Sequence, residues 1–126
     1  MKYHPVVNWV LETRDYSDEA FGKVLSEMTS QVAWSIVHSF TDPDVDPDAK
    51  CFLVETITVP VHSRVLECAC FLLLKSGDPD LIFSGIGAAT NLDLNGKVAL
   101  LPRINLYSKG DPRLEQAAKA FKEGMK

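Results

Sequence analysis

The ten residues VLECACFLLL, Val65 to Leu74, decide the fold of this chain. Apolar side chains occupy odd and even positions alike, so a strand formed here must be covered on both faces. Their type and run length predict a β-strand. A helix closed by Gly77 is the alternative, since periodicity alone does not separate a short buried strand from a buried helix.

The segments around this stretch extend the strand prediction. Cys51–His62 is rich in β-branched residues and leads into it through a tight turn. Downstream, Ile82–Leu94 and Lys97–Tyr107 flank Asn95-Gly96, the dipeptide that a two-residue type I′ hairpin turn requires. Together the four segments predict a four-stranded antiparallel β-meander.

Helical patterns occur towards both ends of the chain. Apolar residues recur at helical spacing over Ser17–Phe40, and Ser17 is a favourable N-cap. Asp111-Pro112 predicts the start of a C-terminal helix, because Asp caps well and Pro suits the first helical position. Pro5–Arg14 fits either a short helix or a strand. No internal repeat is found, and the predicted fold is α+β: the β-meander flanked by a long N-terminal helix and a C-terminal helix.

Length and charge limit the classes of protein to which the chain can belong. The 126 residues, 46% hydrophobic and with a net charge of −4, predict a single globular domain over residues 1–126. Residues 1–96 carry six Lys/Arg and fourteen Asp/Glu, a balance of −8, whereas residues 97–126 carry seven and three, a balance of +4. The acidic total makes nucleic acid an unlikely partner, because nucleic-acid affinity depends largely on neutralising phosphates.

The sequence also predicts the cellular compartment of the protein. No stretch reads as a secretory signal or as a membrane span. Three cysteines, an odd number, fit a reducing compartment. A cytoplasmic protein without a membrane partner is therefore predicted.

The apolar stretch at Val65–Leu74 also bears on assembly. A small sheet with one helical layer leaves one face of such a strand uncovered. Either the two helices lie on opposite faces of the sheet, or both lie on one face and a second subunit covers the other. The sequence therefore predicts a homo-oligomer, most simply a dimer.

Gly85 and Gly87, in SGIGAAT, resemble part of a phosphate-binding glycine motif. The dinucleotide fingerprint needs a third small residue where Thr90 stands, and an acidic residue about twenty positions further on. Neither is present. The glycines predict a bulge or bend in a strand, with a backbone contact to a ligand as the alternative.

Two groups of metal-ligand residue types are incomplete. The aspartates of TDPDVDPD, Thr41–Asp48, alternate like calcium ligands but lack the Gly and Glu of an EF-hand loop. His62, Cys68 and Cys70 fall short of the four ligands of a zinc site. No metal and no cofactor are predicted.

Charged residues supply the remaining candidates for a site. Glu55 falls on the apolar face of the first predicted hairpin, where a carboxylate needs a partner, for which Arg64 and Arg103 are candidates, or takes a raised pKa. A basic cluster brackets the last predicted strand and the start of the final helix, whose free amides attract anions. The cluster consists of Arg103, Tyr107, Lys109 and Arg113.

The segment GKVALLPRINLYSKGDPRLEQAAKAF, Gly96–Phe121, is loosely similar to the corresponding part of class I type III secretion chaperones. The resemblance implies a small acidic dimer with a helix packed beside a sheet. This chain departs from the pattern because SGIGAAT is too short for the helix that those chaperones place between their third and fourth strands.

The absence of a recognisable catalytic motif favours a binding role. We expect a small non-enzymatic interaction protein, a homo-oligomer that holds a protein partner or sequesters a small anionic ligand in an accessory, inhibitory or chaperone-like role. The alternative is a small enzyme or nucleotide-binding protein. In that case Glu55 would serve as acid or base, and Arg103 and Arg113 would hold an anionic substrate.

Overall fold

The stretch Val65–Leu74 is helical in the structure, a computed structural model that describes residues 2–59 and 62–125. These residues contain eight helices and no strand, so the predicted four-stranded β-meander and the α+β class are wrong. The sheet implied by the resemblance to secretion chaperones is absent from them too. The helices are α1 (Pro5–Thr13), α2 (Asp18–Ser26), α3 (Ser30–Ser39), α4 (Pro47–Thr56), α5 (Ser63–Leu74), α6 (Pro79–Ala89), α7 (Leu94–Ser108) and α8 (Pro112–Glu123).

Helix α5 explains why its sequence is apolar at both parities. Its buried side chains recur in adjacent pairs every four residues, and they are Val65, Leu66, Ala69, Cys70, Leu73 and Leu74. Phe71 and Leu72, on other sides of the helix, are half-buried against the same core. Because α5 packs on α3, α4, α6 and α7, it needs apolar residues around most of its circumference.

The predicted N-terminal helix is two helices. The Ser17 hydroxyl accepts a hydrogen bond from the Ala20 amide at 3.2 Å, which confirms the predicted N-cap. The helix ends at Ser26, however, and Thr29 caps a new one through the Val32 amide at 3.2 Å. Helix α1 agrees with the helical alternative for Pro5–Arg14, and α8 confirms the helix predicted after Asp111.

The second predicted hairpin is also helical. Asn95 and Gly96 lie in the first turn of α7, where the Asp93 carboxylate accepts a hydrogen bond from the Gly96 amide at 2.8 Å. Asp93 thus acts as an N-cap, and the Asn-Gly pair is not a turn. Most of Ile82–Leu94 belongs to α6. Residues 60 and 61, within the first predicted strand, lie outside the described residues.

The helices form two layers. Helices α1, α3, α5 and α7 pack side by side in a first layer, and α2, α4, α6 and α8 in a second layer. Within the described residues, each principal contact joins helices that are adjacent or next but one along the chain. Four helical hairpins therefore stack in chain order, which is the arrangement of an α-solenoid.

The stacked hairpins carry an internal repeat that the sequence search did not find. The second-layer helices begin at residues 18, 47, 79 and 112, at intervals of 29, 32 and 33 residues. The last three begin with Asp-Pro-Asp or Asp-Pro-Arg, at Asp46, Asp78 and Asp111, and each aspartate caps its helix. The third helical residue is buried in all four helices: Ala20, Ala49, Leu81 and Leu114.

The layered fold removes the sequence-based argument for a second subunit. Val65–Leu74 is sheltered by neighbouring helices of the same chain. Self-association therefore needs another surface. Among the described residues, no helix is both long enough and apolar enough to cross a bilayer.

Candidate binding surface

Two adjoining grooves cross the outer side of the second layer. One, of about 460 Å³, lies between α2, α4 and α6, and the other, of about 400 Å³, lies between α6 and α8. Phe83 and Gly87 of α6 line both grooves, so the two form one continuous surface. We call it the second-layer surface; its main residues are Phe21, Glu55, Phe83, Ser84, Gly87, Arg113, Gln116, Ala117 and Ala120.

Phe83 stands at the centre of the second-layer surface. Its side chain is 41% exposed. The Arg113 guanidinium lies over its ring at 4.1 Å from the centroid, and an Arg113 Nη1 donates to the Asp80 carboxylate at 2.8 Å. Arg113 therefore holds the ring in one orientation and leaves its remaining surface open to solvent.

Small residues form the floor on either side of the Phe83 ring. A Cβ added at Gly87 would meet no heavy atom within 4 Å. Ala117 and Ala120 of α8 line the groove on the far side. The surface thus has depressions of side-chain size beside a fixed aromatic ring.

Aromatic residues continue the surface towards α2. The ring of Phe52 in α4 lies 5.4 Å from that of Tyr16 and 6.0 Å from that of Phe21, measured between centroids. The Phe21–Phe52 pair is edge to face, a favourable aromatic arrangement. Phe21 in turn lines the groove that Phe83 enters.

Carboxylates line one edge of this surface. The ion pair between Arg113, in the first turn of α8, and Asp80, in the first turn of α6, shows that the two helices begin at the same edge. Asp48 occupies the corresponding first turn of the neighbouring helix α4. Burial is the main cause that raises the pKa of the Cys51 thiol, and the Asp48 and Asp80 carboxylates raise it further, against a hydrogen bond with Ser84.

Three of the predicted site residues meet on the second-layer surface. Glu55, Gly87 and Arg113 all line its grooves. Glu55 is exposed on α4, so its predicted position on an apolar face is wrong: in a helix its neighbours Leu53 and Val54 turn inward and Glu55 turns outward.

Gly85 has a packing role. It is buried in α6, where an added Cβ would lie 3.1 Å from the Leu73 Cβ and 3.4 Å from the Cys70 carbonyl oxygen. The glycine lets α5 and α6 approach closely. The predicted strand bulge at Gly85 and Gly87 is therefore wrong.

The remaining predicted residues lie on or beside α7. The Arg103 guanidinium lies 4.3 Å from the centroid of the Phe71 ring, in a groove of about 540 Å³ between α5 and α7. Tyr107 is half-buried against the core, and Lys109 directly follows α7. Glu55 and Arg103 therefore line different grooves.

The groups with metal-ligand residue types have other roles. Among the described residues, no three His, Cys, Asp or Glu side chains lie close enough together to hold a metal ion. Cys70 is buried, and burial raises the pKa of its thiol to about 12. In the aspartate loop, Asp42 accepts a hydrogen bond from the Tyr3 hydroxyl at 2.6 Å, and Asp46 caps α4.

Sequence reasoning missed Phe83 as a site residue. The available signal is the repeated Asp-Pro pair, which marks where three of the four second-layer helices begin and so aligns Phe83 with the corresponding residues of α4 and α8. Comparisons of this chain with protein families, with curated proteins and with solved structures return no significant match.

Proposed function

We propose that this protein is a non-enzymatic binding module whose second-layer surface holds a segment of a protein partner. The segment carries apolar side chains flanked by Lys or Arg. The observation that carries the proposal is the exposed Phe83 ring between two grooves, beside the ion pair of Arg113 with Asp80.

The apolar part of the proposal rests on Phe83 and its surroundings. Exposed aromatic rings beside depressions are typical anchor points of protein interfaces. Covering the exposed part of the Phe83 ring stabilises a complex by about 1 kcal/mol. Its orientation is already set by Arg113, so little rotamer freedom is lost on binding.

The basic part of the proposal rests on the carboxylates. The second-layer helices carry acidic residues in their first turns, namely Asp18, Glu19, Asp48, Asp80 and Glu115. Residues 1–96, which include the first three hairpins and the start of α7, have a balance of −8. Complementary charge speeds association and selects basic partners, and it makes binding weaker at high salt.

A small anionic ligand fits this surface less well. Arg113 already has Asp80 as a partner, so an anion there would compete with a carboxylate. The groove that suits an anion better lies in the first layer, where Arg64 and Arg103 accompany Phe71. Of the predicted set, Glu55 and Arg113 line adjoining grooves of the second-layer surface, whereas Arg103 lies in the first layer, so the three do not surround one substrate as the enzyme hypothesis requires.

The test is selection of peptides from a random library on the immobilised protein. We expect the selected peptides to share apolar and basic residues and to bind less tightly as salt rises. Phe83→Ala should weaken their binding by about tenfold or more, as truncating an interface anchor does.

Phe71→Ala is the matched control, because Phe71 is also a half-exposed ring beneath an arginine but belongs to the first layer. It should leave peptide affinity unchanged. Failure to select any peptide, selection of acidic peptides, or equal binding to Phe83→Ala would each overturn the proposal. A rise in melting temperature with nucleotides that requires Arg103 would favour the anionic-ligand hypothesis instead.

The predicted homo-oligomer is also part of this proposal, although Val65–Leu74 no longer supports it, because helices of the same chain cover that stretch. Exposed apolar residues of α7 now support it instead. The cytoplasmic location and the absence of a cofactor stay predictions.

A further inference from the structure

Helix α7 exposes an apolar row on the side opposite its buried face. Leu94, Val98 and Leu106 are 61%, 54% and 57% exposed, the highest values for large hydrophobic side chains among the described residues. With Pro102, which is also exposed, they follow a four-residue spacing and share a side of the helix. We call Leu94, Val98, Pro102 and Leu106 the α7 row. Leu100 and Ile104 are buried on the inner side, so α7 is apolar on two sides.

The α7 row lies at one end of the stacked hairpins. In the first layer, α3 packs between α1 and α5, and α5 packs between α3 and α7, whereas within the described residues α7 has a first-layer neighbour only in α5. Ala99 and Arg103 line the groove towards α5, whereas 3.6 residues per turn place Leu94 and Val98 on another side, and the row turns towards that groove only at Leu106. The row thus occupies the side against which another helix would pack.

The opposite end of the stack is covered by polar groups. Helix α1 exposes the polar residues Glu12 and Thr13 there, with Pro5 beside them. Its Trp9 ring lies under the Lys23 ammonium, 5.1 Å from the ring centroid. Helical stacks require polar outer faces at their ends to stay soluble, whereas among the described residues α7 exposes an apolar row at its end.

We propose that a second copy of this chain covers the α7 row, with the two α7 helices antiparallel about a two-fold axis. An apolar surface at one end of the stack gives a closed dimer, whereas two complementary ends would give an open fibre. The row runs for about 18 Å, at about 1.5 Å per residue, which is enough for several turns of helix-on-helix packing.

The charges at the ends of α7 favour the antiparallel orientation. Asp93 precedes α7 and Lys109 follows it, and both are exposed. Antiparallel pairing places Asp93 of each copy near Lys109 of the other and sets the helix dipoles in opposite directions. Arg103 does not interfere, because its guanidinium lies over Phe71 in the groove towards α5.

The dimer does not depend on the proposed peptide binding. The α7 row belongs to the first layer, and the second-layer surface stays open when the row is covered. Each dimer then presents two second-layer surfaces, which strengthens binding to a partner that carries two segments.

Sedimentation velocity over about 1 to 200 µM tests the dimer, since mass action makes association depend on concentration. We expect a dimer for the unaltered chain, and a monomer for Val98→Glu/Leu106→Glu, with a dissociation constant at least about 100-fold higher. Far-UV circular dichroism checks that the variant stays helical. Leu25→Glu, at a 40% exposed apolar residue of α2, is the matched control and should remain dimeric.

A strict monomer for the unaltered chain, or a dimer that survives the double substitution, would overturn the inference. The orientation is tested by mixing Leu94→Cys and Leu106→Cys proteins under oxidising conditions. Antiparallel packing predicts disulfides that join residue 94 to residue 106, with the unaltered chain as the control for its own Cys51 and Cys68. Predominant links between identical positions would rule out the antiparallel arrangement.

Discussion

One short hydrogen bond joins the start of the chain to the loop after α3. The Tyr3 hydroxyl donates to the Asp42 carboxylate at 2.6 Å, the Asp44 amide donates to the same carboxylate, and the Lys2 ammonium lies 3.3 Å from it. These contacts, with Tyr3 as the main cause, lower the pKa of Asp42 to about 2. Burial, followed by the bond to Asp42, raises the pKa of Tyr3 to about 12.

The Tyr3–Asp42 pair makes a pH-dependent contribution to stability. Asp42 is more acidic in the folded chain than its ordinary pKa of about 3.9, so its contribution is present above about pH 4 and lost as pH falls towards 2. Tyr3 is less acidic than its ordinary pKa of about 10, so its contribution is present below about pH 10 and lost as pH rises towards 12.

Tyr3→Phe should therefore melt at a lower temperature than the unaltered chain at pH 7. The difference should shrink below about pH 4, because protonated Asp42 no longer favours the bond, and again above about pH 10. Melting temperatures of both proteins across this pH range provide the measurement. A difference that is constant at all pH values would show that only packing is lost.

At the scale of helices, the sequence reveals local signals such as N-caps but not long-range packing. The N-caps Ser17 and Asp111 were predictable because capping involves only the residue and the next few amides. Val65–Leu74 was not, because its apolar residues reflect the helices that surround it and any enclosed element carries the same pattern. Asn95-Gly96 misled the prediction, since the Asp93 cap outweighs the turn preference of that dipeptide.

Because Gly85 lies in the contact between α5 and α6 and Gly87 does not, we expect the two glycines to respond differently to substitution. Gly85 faces Leu73 and Cys70 at close range, whereas Gly87 faces open space. Gly87→Ala should raise the free energy of unfolding by about 0.5 to 1 kcal/mol, because alanine is the better helix former. Gly85→Val should lower it by about 1 to 3 kcal/mol, because the added atoms force the helices apart.

Urea denaturation of both variants measures these changes, and Gly87→Val serves as the control for the β-branched side chain. If the two valine variants are equally stable, α5 and α6 do not pack at Gly85. If Gly85→Val unfolds without added urea, Gly85→Ala gives the milder comparison. It should gain less stability than Gly87→Ala.

At the scale of the molecule, the chain is a stack of hairpins in which each layer has its own surface. The second layer carries Phe83, the grooves and the acidic edge, and the end of the first layer carries the α7 row. The sequence showed the segregation of charge and the lack of a catalytic motif. The sequence did not reveal the surfaces, because Glu55, Gly87 and Arg113 come together only when α4, α6 and α8 pack side by side.

The repeat was the whole-molecule signal that the sequence did contain. Asp46-Pro47, Asp78-Pro79 and Asp111-Pro112 stand about 32 residues apart, which is the length of one helical hairpin with its turns. The intervals differ by a few residues and the helices share few other residue types. A comparison of residue types along the chain therefore does not reveal the repeat, whereas the spacing of the Asp N-caps does.

The central claim is that Val65–Leu74 is a helix packed on α6. Backbone NMR assignment tests it most directly, through the Cα secondary shifts of this stretch and the nuclear Overhauser contacts of the Gly85 Hα protons. The account predicts positive shifts throughout and contacts from Gly85 to the Leu73 side chain. Negative shifts, or cross-strand contacts between residues 51–59 and 65–74, would contradict it.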